Sequence, residues 1–326
     1  MIDGKRMGTF EALLGHVIDL EFDTHEEMIE AALHWQLEEY QMDSGFFRGS
    51  MNAVHTSHIQ IASTSRSNGV FVKGNIPPNT YLFASVETEG KMTHNGVTIL
   101  HDELVFLTEN DQLDFIVSSA VDDVTIVIDK YFFDHAYKKH FNEPFQSDTN
   151  DKRIQLKESA GAAFRDAVKE MVAALKIESE RLQNSSDFHT TIEEEILQIV
   201  FKNIELSKQR KKILESEINA NKVRNHIEMN YTKDIAISEL CTMYNLSERT
   251  LRLSFKNLFG LSPKQYHKYY SLGKVHHAFL KGDTSSDTVE RIAYDHGFSH
   301  MGRLSSDYKS MFGNPPSHTL RKSLIS

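Results

Sequence analysis

The apolar positions of the chain change their period three times. After a start without a clear pattern, THEEMIEAALHW sets Met28, Ile29 and Ala32 at helical spacing, with Thr24 as N-cap and Glu27 completing a capping box. From Trp35 to about Ile128 the texture becomes short alternating or β-branched runs, such as GVFVKG, TYLFASVE, LDFIVSS and VTIVID. Turn signals separate them, among them Ser67-Asn68-Gly69, Pro77-Pro78-Asn79 and Asn95-Gly96. Seven or more strands at this spacing predict a cupin-like sandwich or barrel, the place where an enclosed space is expected. Past Asp129, Phe164, Val168, Met171 and Leu175 recur at steps of four, three and four, and Ile192, Ile196, Ile199 and Val200 do likewise, predicting two amphipathic helices. NEPFQSDTNDKR and LQNSSDFHTT are expected to be polar loops around them, and the charged stretch SKQRKKILESEIN a connector.

The last third carries a weak duplication. In IAISELCTMYNLSERTLRLSFKNLFG, Ser238 caps a first helix, Asn245 turns the chain, and Ser247 caps a second helix with the inner stripe Leu251, Phe255 and Leu258. In TVERIAYDHGFSHMGRLSSDYKSMFG, Ile292 and Ala293 fill the first helix, Gly297 turns, and Leu304, Tyr308 and Phe312 form the second stripe. Both copies end in Phe-Gly followed by a proline, a helix stop. Two helix-turn-helix units are therefore expected, joined by one helix from Pro263 to Gly282. Off the buried stripes lie Glu248, Arg249, Arg252 and Lys256 in the first unit, and His300, Met301, Gly302, Arg303, Ser306 and Lys309 in the second. Arginine is suited to reading guanine because its fork meets both major-groove acceptors at once. All of these but Glu248 are the candidate DNA-binding residues. The alternative for any one such helix is a plain solvated face, an alternative that duplication and a rigid join make weaker.

Charge changes the picture at this point. The net charge of −10 argues against a phosphate partner, but it is unevenly divided: 15 Lys and Arg against 9 Asp and Glu from Asn219 onward give +6, and the remainder carries −16. A basic segment inside an acidic protein fits double-stranded DNA, or docking onto an acidic partner. The single cysteine, Cys241, excludes a disulfide framework and is expected to be a small buried side chain. No apolar run is long enough to span a membrane and the N-terminus lacks a signal-peptide core, so a cytoplasmic protein without a membrane partner is expected.

These residues resemble the AraC/XylS family of bacterial transcription regulators over about residues 220–322, through ISELCTMYNLSERTLRLSFKNLFGLSPKQY, ERIAYDHGF and DYKSMFGNPPSHTLR. The resemblance implies Arg249 and Arg252, then Met301, Gly302, Arg303 and Ser306, as DNA-facing positions. It also implies promoter DNA and RNA polymerase as partners, activation as the action, and a small-molecule effector sensed by the N-terminal half. Two positions depart from the family pattern: the arginine common in the joining helix is Ser271, and the alanine that usually follows is Val275. With GFSHMGRLSSDY, they resemble the subgroup containing the ethanolamine-operon regulator.

The expected architecture is α+β: an effector-sensing and possibly dimerising domain over 1–206, a linker over 207–219, and an AraC-type DNA-binding domain over 220–326. Arg48, Arg66, Tyr81 and Phe83 are the candidate effector residues, although Arg48, Arg66 and Lys73 read more simply as surface charges and Tyr81, Phe83 and Trp35 as core. His55 and His58 are three apart, where a cupin-type metal site wants two histidines two apart on one strand with a glutamate, so neither a metal nor a cofactor is expected. The Ile192–Val200 stripe could pack on its own domain or on a second subunit, and a homodimer is the commoner soluble assembly. The rival from another class is a β-barrel enzyme or metabolite-binding protein with a helical docking module. No nucleophile elbow, phosphate loop or HExxH motif supports an enzyme.

Overall fold

The computed structural model describes residues 10, 13–146, 153–155, 160–203, 215–283 and 286–322. The N-terminal part is built on two antiparallel sheets. One joins β1 (Val17–Phe22), β3 (Gly49–His55), β4 (Ile59–Arg66), β11 (Val121–Asp129), β6 (Thr80–Thr88), β9 (Glu103–Thr108) and β12 (Arg153–Gln155) in that order. The other joins β2 (Gln36–Gln41), β5 (Val70–Asn75), β10 (Leu113–Val117), β7 (Met92–His94) and β8 (Val97–Thr98). Strand alternation sends successive side chains to opposite faces. From the first sheet, Leu82, Ala84, Val86, Val105 and Leu107 meet Val70, Leu113 and Val117 of the second in one core. The opposite parity, with Tyr81, Phe83, Phe106, Ile126 and Ile128, is buried under helices. A sheet covered on both faces reads as near-continuous apolar runs, which is why β6 and β11 lack a clean alternation.

Helix α1 (His25–Ala31) packs on β1, β2 and β3, and α2 (Lys130–Phe141), α3 (Ala160–Ile177), α4 (Ser179–Asn184) and α5 (Ser186–Asn203) belong to the outer layer. Thr24 caps α1, but the Glu27 carboxylate accepts from the Asp23 amide, so the expected box is displaced by one residue. The stripe Ile192, Ile196 and Val200 is buried against this chain's own sheet and α3, which removes it as a seam for a second subunit. The expected loop over 182–191 is mostly helix. Only Ser185 interrupts it, ending α4 and offering its hydroxyl to the Phe188 amide at the start of α5. Of the other expected loop, 147–152 lies outside the described residues and its last residue, Arg153, begins β12, which pairs with β9. Strand β1 comes from the segment without a clear pattern; it is an edge strand with Leu20 half exposed, so only part of its sequence is constrained by burial.

The C-terminal part is all helical: α6 (Glu215–Met229), α7 (Ile237–Met243), α8 (Glu248–Phe259), α9 (Pro263–Leu280), α10 (Val289–Asp295), α11 (Met301–Phe312) and α12 (Pro316–Lys322). Helix α6 begins inside the stretch expected to be linker and buries Ala220, Val223 and Ile227 against α8; residues 204–214 lie outside the described residues. Ala236, not Ser238, occupies the N-cap of α7, and Ser238 lies within the helix. Cys241 is half-buried at the edge of this core rather than enclosed. Ser262 and Gln265 form a full capping box at the head of α9. Gly260 and Gly313 end the two second helices with φ of +70° and +78°, a conformation that is cheap only for glycine.

Candidate nucleic-acid interface and ligand cavity

The buried stripes set the orientation of the two candidate recognition helices. In α8, Leu251, Phe255, Leu258 and Phe259 lock one face into the core that α6 and α9 share. In α11, Leu304, Tyr308 and Met311 do the same in a separate core, with Phe312 only partly buried and Met311 taking the place expected for it. The opposite faces are open: Arg249, Arg252 and Lys256 on α8, and His300, Gly302, Arg303, Ser306 and Lys309 at α11, are all exposed, with Met301 half-buried. The candidate positions therefore form two exposed faces held by two cores.

Several of these groups are already engaged. Arg252 donates to Glu248 through Nε and Nη2 at 2.8 and 2.6 Å, so reaching a base means leaving a solvent-exposed intrahelical pair of small worth. Lys256 Nζ donates to the Gly260 carbonyl at 2.9 Å and acts as a C-cap here. Arg303 Nε stands 3.7 Å from Asp307, whose carboxylate is also held by Lys268 of α9 at 2.7 Å. Gly302 is informative in a different way. A Cβ built there meets nothing within 4 Å, so the protein's own packing does not require glycine at a helical position where alanine is more favourable. A missing side chain on an exposed helix face leaves room for close approach by something outside the protein.

The N-terminal domain grips this unit from behind. The Tyr40 ring of β2 stacks on His277 of α9 at 4.8 Å and lies 5.2 Å from Tyr270. His277 Nε2 donates to the Glu39 carbonyl at 3.0 Å. Burial, opposed by Glu26, lowers the pKa of His277 and favours its neutral ring. Asp114 of β10 accepts both ends of the Arg224 fork at 2.8 and 2.7 Å, and Gln41 Nε2 reaches the Met311 carbonyl at the end of α11 at 2.9 Å. Tyr40, Met42, Phe71 and Ile116 of the sandwich share one core with α6, α8 and α9.

Between the two sheets lies a cavity of about 130 Å³. Its walls are mostly apolar, including Leu37, Val72, Ala84, Leu113 and Phe115, and its polar end gathers Glu39, Thr64, Arg66 and Asp123. Arg66 is thus not the surface charge expected: its side chain is largely buried, with Glu39 held bidentately at 2.8 and 3.2 Å and Asp123 at 2.9 Å. Burial pushes Glu39 up, but Arg66 and His25 outweigh it and hold its carboxyl down at about 2. Arg48 is exposed and pairs with Asp23, and Lys73 pairs across the domain boundary with Glu228. Tyr81 and Phe83 face the helical layer on the far side of β6, away from the cavity. Trp35 lines the cavity and donates to Gln60 at 3.0 Å. Of His55 and His58, the first is buried against the His16 carbonyl and the second pairs with Glu193 at 3.0 Å. Glu39 and Asp123 escaped the sequence reading, though each is an acid at the inward parity of its strand.

A helix-turn-helix domain family matches residues 240–322. XylDLEGF operon transcriptional activator 2 of Pseudomonas putida is 31% identical over 111 residues, 34% of this chain and 71% of its own length. The chain belongs to the AraC/XylS-type transcription regulators. The XylDLEGF operon transcriptional activator of the same organism is 32% identical over 96 residues, and the match spans only 30% of that relative's length. A solved structure of a probable AraC family transcriptional regulator from Rhodopseudomonas palustris CGA009 is 32% identical, with 32% of this chain and 97% of that chain covered and a TM-score of 0.30. These relatives are transcription regulators, not enzymes, and among the described residues of this regulator no helix is long and apolar enough to cross a membrane.

Proposed function

We propose that this regulator reads an asymmetric promoter site with α8 and α11 in neighbouring major grooves, and that a ligand in the sandwich cavity modulates that reading. The observation that carries the first part is the pair of open helix faces, each fixed by its own buried stripe and rich in groups that meet base edges or phosphates. Arg249, Arg252, Met301, Gly302, Arg303 and Ser306 face the bases, with Lys256 and Lys309 nearer the backbone. The second part is supported by β2, which shows Glu39 to the cavity while Tyr40 and the Glu39 carbonyl touch α9. A ligand that binds one arrangement of β2 better than another shifts the population of DNA-competent chains.

Transcriptional activation through RNA polymerase in the cytoplasm and assembly as a homodimer complete the proposal, together with the ethanolamine-type subgroup suggested by Ser271, Val275 and GFSHMGRLSSDY. Selection of bound fragments from random-sequence DNA by the full-length chain at physiological salt tests it. The expected product is one non-palindromic site per chain with two informative blocks; retention of DNA without sequence enrichment sinks the reading.

A further inference from the structure

The cavity reading above leaves the ligand's chemistry open, and the charges at its polar end narrow it. Two carboxylates, Glu39 and Asp123, face one guanidinium, Arg66. Arg66 is nearly spent: Nε and Nη2 go to Glu39, and Nη1 goes to Thr64 and Asp123 at 2.8 and 2.9 Å, which uses four of its five N–H donors. Both oxygens of Glu39 are likewise taken, Oε1 by His25 as well as Arg66.

Asp123 is different. Its Oδ1 accepts from Thr64 at 2.6 Å and from Arg66, while Oδ2 accepts nothing from the described residues. Strand β11 is paired on both edges, with Asp123 opposite Thr64 on β4 and Val86 on β6, so the only way to its side chain is through the face of the sheet. That face looks into the cavity, and the side chain keeps 19% of its surface accessible there. Burial, only partly offset by Arg66, raises the pKa of this carboxyl, as expected for an acid whose charge is incompletely balanced.

We infer that the cavity takes a small apolar amine, its ammonium donating to the free oxygen of Asp123 and its hydrocarbon body lying among Leu37, Val72, Ala84 and Phe115. An anionic head would face two carboxylates whose partners Arg66 and His25 are already engaged, and would find one unused N–H on Arg66. A cation meets the unused oxygen of Asp123, and a charge-assisted bond in a low-dielectric pocket is stronger than a neutral one. The room is right for a short body: an apolar protein cavity of about 150 Å³ admits benzene, and this one measures about 130 Å³.

This inference rests on the reading of the cavity as a ligand site, and three probes of one length separate the two. Calorimetric titration of the full-length chain with n-hexylammonium, 1-hexanol and hexanoate is expected to rank them in that order, with the amine tighter than the alcohol by about tenfold or more. Asp123→Asn is expected to bring the amine down to the alcohol's level, whereas Ala84→Leu, which fills the apolar part and leaves the charges alone, weakens all three. The wild-type ranking stands whether or not Asp123→Asn folds. Hexanoate binding as well as the amine, or an amine preference that survives Asp123→Asn, overturns the inference while the cavity remains a ligand site. Failure of all three probes to bind the wild-type chain overturns both.

Discussion

The ring of His55 lies fully buried, with Phe10 edge-on to it, its Nδ1 facing the His16 carbonyl and its Nε2 without a partner among the described residues. Protonating Nε2 would bury an N–H⁺ with no acceptor, and burial lowers the pKa from 6.5 to about 4. The folded value lies below the unfolded one, so this contribution is complete above about pH 6.5 and is lost as pH falls toward about 4, a loss of roughly 3 kcal/mol. Urea unfolding of the wild type and of His55→Asn between pH 7 and pH 4 is expected to show a shallower slope in the variant; parallel slopes would remove His55 as the cause. On the proposed DNA face, Arg252→Ala is expected to weaken specific binding by about 1–3 kcal/mol and relax specificity at one base pair. Lys309→Ala should weaken all sequences alike, and fluorescence anisotropy on matched and single-mismatch duplexes distinguishes the two patterns. Arg66 shows the limit of residue-by-residue reading: an arginine in a strand is usually a surface charge, and only its partners Glu39 and Asp123 make a buried place tolerable for it.

At the scale of elements, α11 carries a cost its own fold does not explain. Gly302→Ala is expected to stabilise the protein by about 0.5–1 kcal/mol, through lower backbone entropy loss in the helix, while weakening DNA binding. Thermal unfolding and a binding titration check the two signs together, and an unchanged affinity would make Gly302 incidental. The hold of β10 on α6 is ionic and buried, with Arg224 and Asp114 both under a tenth exposed. Removing Asp114 leaves the buried Arg224 with only Glu228, 3.4 Å from its Nε, so Asp114→Ala is expected to cost about 3 kcal/mol in urea unfolding; a loss below about 1 kcal/mol would show that Glu228 and water suffice for the charge. The elements most legible in the sequence were those with one buried face, such as α3, α5, α8 and α11, because a single stripe leaves a single period. Strands β6 and β11, buried on both faces, can be located but not oriented from sequence, which leaves open whether Tyr81 and Phe83 line a ligand or the core; they face the helices.

For the whole molecule, α9 joins the two helix-turn-helix units and, in the proposed reading, fixes their separation. Its 18 residues span about 27 Å at 1.5 Å per residue, comparable to the roughly 34 Å between successive major grooves on one DNA face. Inserting five base pairs between the two contacted blocks turns them to opposite faces, and affinity is expected to fall on the order of tenfold or more in a gel-shift titration. An unchanged Kd would mean that only one unit reads DNA.

Composition, period and punctuation by themselves determined the two-part plan, the duplicated helix-turn-helix, the rigid join between Pro263 and Gly282, and the side chains that each second helix turns away from its core. These are local properties, fixed by residues within one or two turns of each other. Tertiary structure decided what depends on distant partners: which face of a doubly covered strand meets the cavity, which charges Arg66 and Arg224 neutralise, and that β2 touches both the cavity and α9. Glu39 and Asp123 are 84 positions apart, and nothing in their neighbourhoods along the chain shows that they share one guanidinium.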